Sequence, residues 1–199
     1  MENVAINGKA RTEFGKKGSK AMRREGYVPS VLYGGEEVIH FGVTPRSVKE
    51  LVYTPDFKVA QVSVDGKTYS AILKDIQFHP LSDELLHLDF LELVPEKQVK
   101  VAVPVKFVGA APGLKVGGKL MQALRRIKIK TTPEHLVDTL ELDISKLELG
   151  QSIRVRDIKT PEGIEITSAP GTPVASIEVP RALRSAAAAE EKETIAAAE

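Results

Sequence analysis

KVAQVSVDGKTYSAILKDIQF, residues 58–78, is the stretch whose reading decides the fold. Two apolar, β-branched runs flank Asp65-Gly66, a dipeptide suited to a tight reversal, so the segment is a predicted β-hairpin. Working outward, residues 85–93 read as a further strand on the C-terminal side. On the N-terminal side, Thr44-Pro45 supplies the cap and first-turn proline of a predicted helix reaching about Val52. Before it, VPSVLYGG (residues 28–35) reads as a strand closed by a Gly-Gly turn, with a returning strand over residues 38–43. A first strand is expected over residues 4–10. Between the first two strands lies GKKGSKAMRREG (residues 15–26), where Ser19 is the expected N-cap of a short helix over residues 20–25 and Gly26 its stop. Residues 3–93 are thus expected to form short strands with two helical pieces, an α+β unit.

Composition changes at Val94-Pro95-Glu96, the expected domain boundary. Beyond it Val99, Val101, Val103, Val105 and Phe107 alternate with Lys100, Ala102, Pro104 and Lys106, the period-two pattern of a half-buried strand. Strand signals recur over residues 120–131, 136–144, 152–155 and 172–179, separated by proline or glycine turns. Such spacing without long helices predicts a mainly β, sandwich-like second domain. From residue 181 the chain is rich in Ala and Glu with no apolar face, and reads as a flexible tail. The expected division is therefore 1–93, 94–180 and 181–199.

Charge is nearly balanced overall, 28 Lys+Arg against 27 Asp+Glu, but it is segregated. Residues 9–24 hold seven basic residues (Lys9, Arg11, Lys16, Lys17, Lys20, Arg23, Arg24) against Glu13, a net of +6. Residues 25–92 carry a net of −6, and residues 93–180 a net of +3. A local potential of this kind steers an anionic partner to one place and repels it elsewhere. A charge run is as readily a solvated face. Its internal composition favours RNA: Gly15 and Gly18 permit close backbone approach, Ser19 offers a hydroxyl, and arginine forks onto phosphate oxygens. Such a patch is an electrostatic anchor with little sequence discrimination.

The absence of cysteine excludes disulfides and thiolate metal sites. With no apolar run of about 18 residues, the expectation is a soluble, cytosolic chain. Aromatic residues make up 5% and Trp is absent, which disfavours binding by many stacked bases. There is no phosphate-binding G-x-x-x-x-G-K-[ST] loop, no G-x-S-x-G elbow and no H-E-x-x-H pair, and the four histidines are scattered. Neither catalysis nor a cofactor or metal is expected.

LHLDF (residues 86–90) places His87 and Asp89 on one side of a strand, with Leu86, Leu88 and Phe90 toward the core. The pair can address a ribose hydroxyl or a base edge in the shallow minor groove of RNA. It can equally be a structural hydrogen-bonded pair, and the residues alone leave both open. Gln77, within DIQFHP (residues 75–80), is similarly ambiguous. Tyr33 suits either a core aromatic or a hydroxyl at the sheet rim.

Taken in order, Arg11 with GKKGSKAMRREG, VPSVLYGG, DIQFHP and LHLDF closely resemble bacterial large-subunit ribosomal protein twenty-five, in its two-domain CTC (general stress protein) form. PGLKVGGKL (residues 112–120), LELDISKLELGQSIRVRDI (residues 140–158) and PEGIEI (residues 161–166) are similar to that family's C-terminal domain. The resemblance implies a six-stranded N-terminal β-barrel with short helices, binding the loop E region of 5S rRNA on its minor-groove side, in the central protuberance. It implies that Arg11, Lys16, Ser19, Lys20 and Arg23 contact phosphates and riboses, and that Tyr33, Gln77, His87 and Asp89 line the same surface. Lys74 falls where some relatives carry glutamine, which moves its contact toward phosphate. Lys20 stands where arginine is frequent and gives up the bidentate fork. The implied partners are 5S rRNA and large-subunit proteins, with no membrane and no small-molecule substrate. The implied state is a cytoplasmic, ribosome-associated protein, monomeric off the ribosome. The alternative is a stress-associated RNA- or protein-interaction module acting partly off it.

Overall fold

The computed structural model describes residues 2–161 and 163–180; the tail expected over 181–199 lies outside the described residues. The hairpin that opened the sequence reading is present. Strands β4 (Val59–Val64) and β5 (Lys67–Phe78) pair antiparallel with Val64 opposite Lys67. Asp65 and Gly66 both have positive φ, 50° and 81°, the backbone that matches a tight turn to the twist of its strands.

The other barrel strands are β1 (Asn3–Ala10), β2 (Val28–Tyr33), β3 (Ile39–Val43) and β6 (Leu85–Glu92). With β4 and β5 they form a closed barrel in the order β1-β3-β2-β6-β5-β4. Closure depends on a parallel β1/β4 seam, Ile6 opposite Val62, and β2 and β6 are also parallel. Inward side chains fill so small a barrel: Ile6, Leu32, Phe41, Val62, Leu88 and Phe90 are all fully buried. The Phe41 and Phe90 rings lie 5.8 Å apart. Leu88 and Phe90 face inward as expected, whereas Leu86 is only half-buried.

Strand β5 contains a bulge. Leu73 is opposite Phe90 and Asp75 opposite Asp89, which leaves Lys74 as the extra residue. Leu73 and Ile76 both pack on the core although they differ in parity along the strand. One inserted residue therefore switches the facing of everything after it. It is the bulge that turns Asp75 and Gln77 outward.

Helix α1 (Gly15–Arg24) corrects the expected start at Ser19. Ser19 is inside the helix, and its hydroxyl donates to the Gly15 carbonyl one turn back rather than capping a terminus. The helix begins five residues earlier because Gly18 packs against the preceding loop: a Cβ there would lie 2.7 Å from the Glu13 carbonyl oxygen. The end is as expected. Tyr27 N–H donates to Met22 C=O and Gly26 N–H to Arg23 C=O, the paired bonds of a Schellman motif. The second helix is also shorter than expected. Residues 44–47 form a turn in which Ser47 N–H and Oγ bond the Thr44 carbonyl, and α2 covers only Lys49–Val52.

In the C-terminal half, β7 (Val99–Val108) keeps the alternation read from its valines. The run expected over 120–131 is broken into β8 (Lys119–Gln122) and β9 (Arg126–Thr131), following the single helical turn α3 (Pro112–Lys115). The expected 136–144 strand is reduced to β10 (Leu140–Asp143), followed by β11 (Ser152–Arg154) and β13 (Pro173–Glu178). A short strand not anticipated, β12 (Ile164–Ile166), lies between the last two. The sheets run β10-β7-β9-β12 and β11-β13-β8. Ala111, Ile144, Leu147 and Ile177 form one buried cluster. Over the described residues the chain is mainly β, as expected. Two compact units contain it, the first holding the barrel, residues through Pro104 and Ile129–Thr139, the second holding Val105–Lys128 and Leu140–Pro161.

Candidate nucleic-acid interface

Helical spacing sorts α1 into two faces. Gly18 and Met22, four residues apart, point toward the barrel, where the Met22 methyl occupies the space a side chain at Gly42 of β3 would need. Lys16, Lys20 and Arg23 then share a solvent stripe with Lys17 and Arg24 beside it, and all five are exposed. Five cations occupy one arc because the other arc must be small and apolar to pack. Arg23 also has a structural bond: its Nε and Nη2 donate to the Leu86 carbonyl at 3.2 and 3.0 Å, tying α1 to β6. Lys9 is partly offset by Glu25 at 3.3 Å.

Arg11 organises the start of this segment. Its Nε donates to Glu13 C=O at 2.6 Å, and its Nη2 to Gly15 C=O and to Ser19 Oγ at 3.3 and 2.8 Å. Arg11 and Ser19, read separately as RNA contacts, are thus partners of one another, and they hold the turn from which the basic helix emerges. Gly18 likewise serves an internal close approach, against Glu13.

The second group lies on the outer face of three neighbouring strands. His87 Nδ1 and Asp89 Oδ1 are 2.7 Å apart, both side chains a little over a quarter exposed. With Nδ1 donating, the His87 Nε2 is the nitrogen left to address a ligand. Gln77 is directly opposite His87, and Asp75 directly opposite Asp89. The phenol of Tyr33 on β2 is held above its ordinary pKa, by burial first and then by the charges of Asp89 and Asp75. It is therefore a hydrogen-bond donor at neutral pH. Lys74, the bulged residue, points elsewhere: its Nζ donates to the Lys100 carbonyl at 2.6 Å.

The sequence-derived residues thus fall into a basic helix (Lys16, Lys20 and Arg23, braced by Arg11 and Ser19) and a polar sheet face (Tyr33, Gln77, His87, Asp89). The Arg23 bond to Leu86, next to His87, joins them. Lys74 is outside both. Asp75 was missed, since only the bulge brings it opposite Asp89; Lys17 and Arg24 lay in the basic segment and complete its arc. Like charges directly across a strand pair are destabilising, so the Asp75/Asp89 pair is a local cost. Among the described residues, no group of three or more His, Cys, Asp or Glu could hold a metal ion. Nor is any described helix long and apolar enough to cross a membrane.

Comparison with known proteins matches the two parts of the chain to two family models. Residues 6–90 match the model of the ribosomal L25p family, and residues 98–181 that of the C-terminal domain of ribosomal protein TL5. Large ribosomal subunit protein bL25 of Amoebophilus asiaticus is 42% identical over 188 residues, 94% of this chain and 95% of that protein. The bL25 of Cytophaga hutchinsonii is 42% identical over 96% of this chain and its own full length. That of Bacteroides fragilis is 41% identical over 95% and 98% respectively.

Proposed function

Because the chain belongs to the bL25 family of large ribosomal subunit proteins, structural constituents of the ribosome rather than enzymes, we propose that its barrel binds 5S rRNA. The proposed target is the minor-groove side of the loop E region, within the central protuberance. The observation that carries the reading is the joining of a five-cation helical arc to the His87–Asp89 pair by one bond, Arg23 to the Leu86 carbonyl. Cations on α1 bring the domain to phosphates, a contribution that depends on salt and not on sequence. The rigid sheet then presents Tyr33, Gln77 and His87 to ribose hydroxyls and base edges, which the wide minor groove of A-form RNA displays.

Individual roles follow from the bonds already made. Lys16 and Lys20 are phosphate contacts. Arg11 and Ser19 act chiefly by shaping the helix start, and Arg23 divides its guanidinium between Leu86 and the RNA. Asp89 orients His87. Lys74, held at Lys100, contributes charge rather than a base contact. Residues 1–93 form the proposed RNA-binding domain and residues 94–180 a second β domain, working on the ribosome in the cytoplasm beside other large-subunit proteins. The whole-length relatives carry ribosomal names, which lends no support to a stress module acting off the ribosome.

Gel-shift titration of the full chain against 5S rRNA over a salt series tests the proposal. Tight binding is expected, its logarithm falling by about 0.7 to 0.9 per phosphate contact for each decade of salt. Equal affinity for an unrelated RNA duplex would sink the choice of 5S rRNA while leaving the electrostatic anchor in place.

A further inference from the structure

We propose that Phe14 is a stacking platform for a nucleobase of the bound RNA, an inference that rests on the RNA-binding reading of the barrel. Phe14 stands between Arg11 and Lys16, at the centre of the +6 segment, and immediately precedes α1. Phe14 is 62% exposed; Val38, Tyr53 and Leu81 are also left in solvent, so exposure alone does not single it out, and its cationic setting does. The ring is nevertheless held in place. The Arg11 guanidinium carbon lies over it, 5.8 Å from the centroid. The His40 imidazole meets it at 5.1 Å with the planes 74° apart. Arg11 is in turn fixed by its bonds to Glu13, Gly15 and Ser19.

The result is a pre-positioned aromatic surface held by Arg11 and His40 within the basic segment. Its helix-end position is not a reason for it: Phe14 occupies the N-cap and no side-chain cap bond is made there, a place that Ser, Thr, Asp or Asn fills better. Every base has a π-face, so an aromatic ring beside phosphate-binding cations supplies affinity that does not depend on counterion release. An orienting arginine adds a cation that can pack on the same ring or on the base. A protein partner would also bury the ring. The cationic setting favours RNA, since Arg11 lies over the ring and Lys16, Lys17 and Lys20 follow within six residues of it in the chain.

The absence of Trp from the chain makes a direct test available. In Phe14→Trp the single indole should retain 5S rRNA binding, and its fluorescence should be quenched over the concentration range of the gel shift. Phe14→Leu keeps apolar bulk but removes the π-face. It should weaken binding by about ten- to a hundredfold with the salt slope of the parent chain, and with unchanged circular dichroism. Parental affinity for Phe14→Leu, with no quenching in Phe14→Trp, would overturn the inference and point to a protein contact instead. Failure of the unsubstituted chain to bind 5S rRNA would overturn the RNA reading and this inference together, and that control separates the two.

Discussion

At the residue scale, the informative group is the outer face around Asp89. His87 and Asp89 were legible because two residues of one strand, two positions apart, share a side, and the 2.7 Å contact is consistent with that. Asp75 was not legible, because alternation counted along β5 without its bulge assigns it to the wrong face. The effect of this acidic pair on Tyr33 is measurable. A tyrosine whose pKa is raised on folding contributes stability that is complete below the unfolded value, near 10, and is lost as pH rises through the folded value. Alkaline titration followed by tyrosine absorbance should show a phenol lagging free tyrosine. Asp89→Asn should reduce the lag without abolishing it, since burial is the larger cause. A lag that is unaltered would mean Asp89 does not face the phenol. Arg11 offers a second residue-level prediction. Arg11→Lys keeps the charge and loses the fork that holds Glu13, Gly15 and Ser19. RNA affinity should fall about tenfold, the size of one or two charge-assisted bonds at about 1.5–3 kcal/mol each discounted for exposure. The salt slope should barely change. A lysine variant that binds like the parent would make Arg11 a simple phosphate contact.

At the element scale, α1 shows why helix ends are harder to read than helices. Serine before a basic run is a common N-cap, but the packing of Gly18 on Glu13 lets the helix start earlier and leaves Ser19 inside it. Two glycines separate a rigid neighbour from a soft one. An alanine at an exposed helix interior normally gains about 1 kcal/mol over glycine. Gly18→Ala should instead lower the melting temperature and weaken RNA binding, because its Cβ would meet the backbone of Glu13, C at 3.0 Å and O at 2.7 Å. Gly42→Ala meets chiefly the flexible end of Met22, with Tyr27 Cβ at 3.3 Å. Its cost should be the smaller of the two, with α1 displaced slightly and binding largely kept. Thermal melts read side by side decide it; the opposite ranking would mean that α1 is docked chiefly by Met22.

At the scale of the whole molecule, a net charge of +1 conceals the property that matters, the segregation of cations onto one helix. Barrel closure is the other whole-molecule feature. Strand β1 alone joins β3 to β4, and the parallel β1/β4 seam runs from Asn3 opposite Val59 to Gly8 opposite Val64. Removing residues 1–10 would strip Ile6 from the core and leave β3 and β4 as open edges, the configuration that invites aggregation. Such a truncated chain should lose the cooperative melting of the barrel and aggregate at concentrations where the full chain does not. A cooperative melt at the parental midpoint would show that closure is dispensable.

The barrel's strand positions, the Asp65-Gly66 turn, the Gly26 stop, the β character of the second half and the basic segment were all determined by the sequence itself, because each rests on a local preference or a short period. What only tertiary structure decided are the features that depend on residues far apart. These are the bulge that puts Asp75 opposite Asp89, the early start of α1 against Glu13, and the Arg23 and Lys74 bonds to carbonyls of other strands. The β1/β4 seam belongs with them. Periodicity reports which way a side chain faces only while the register is regular, and it carries no information about which distant backbone a long basic side chain will find.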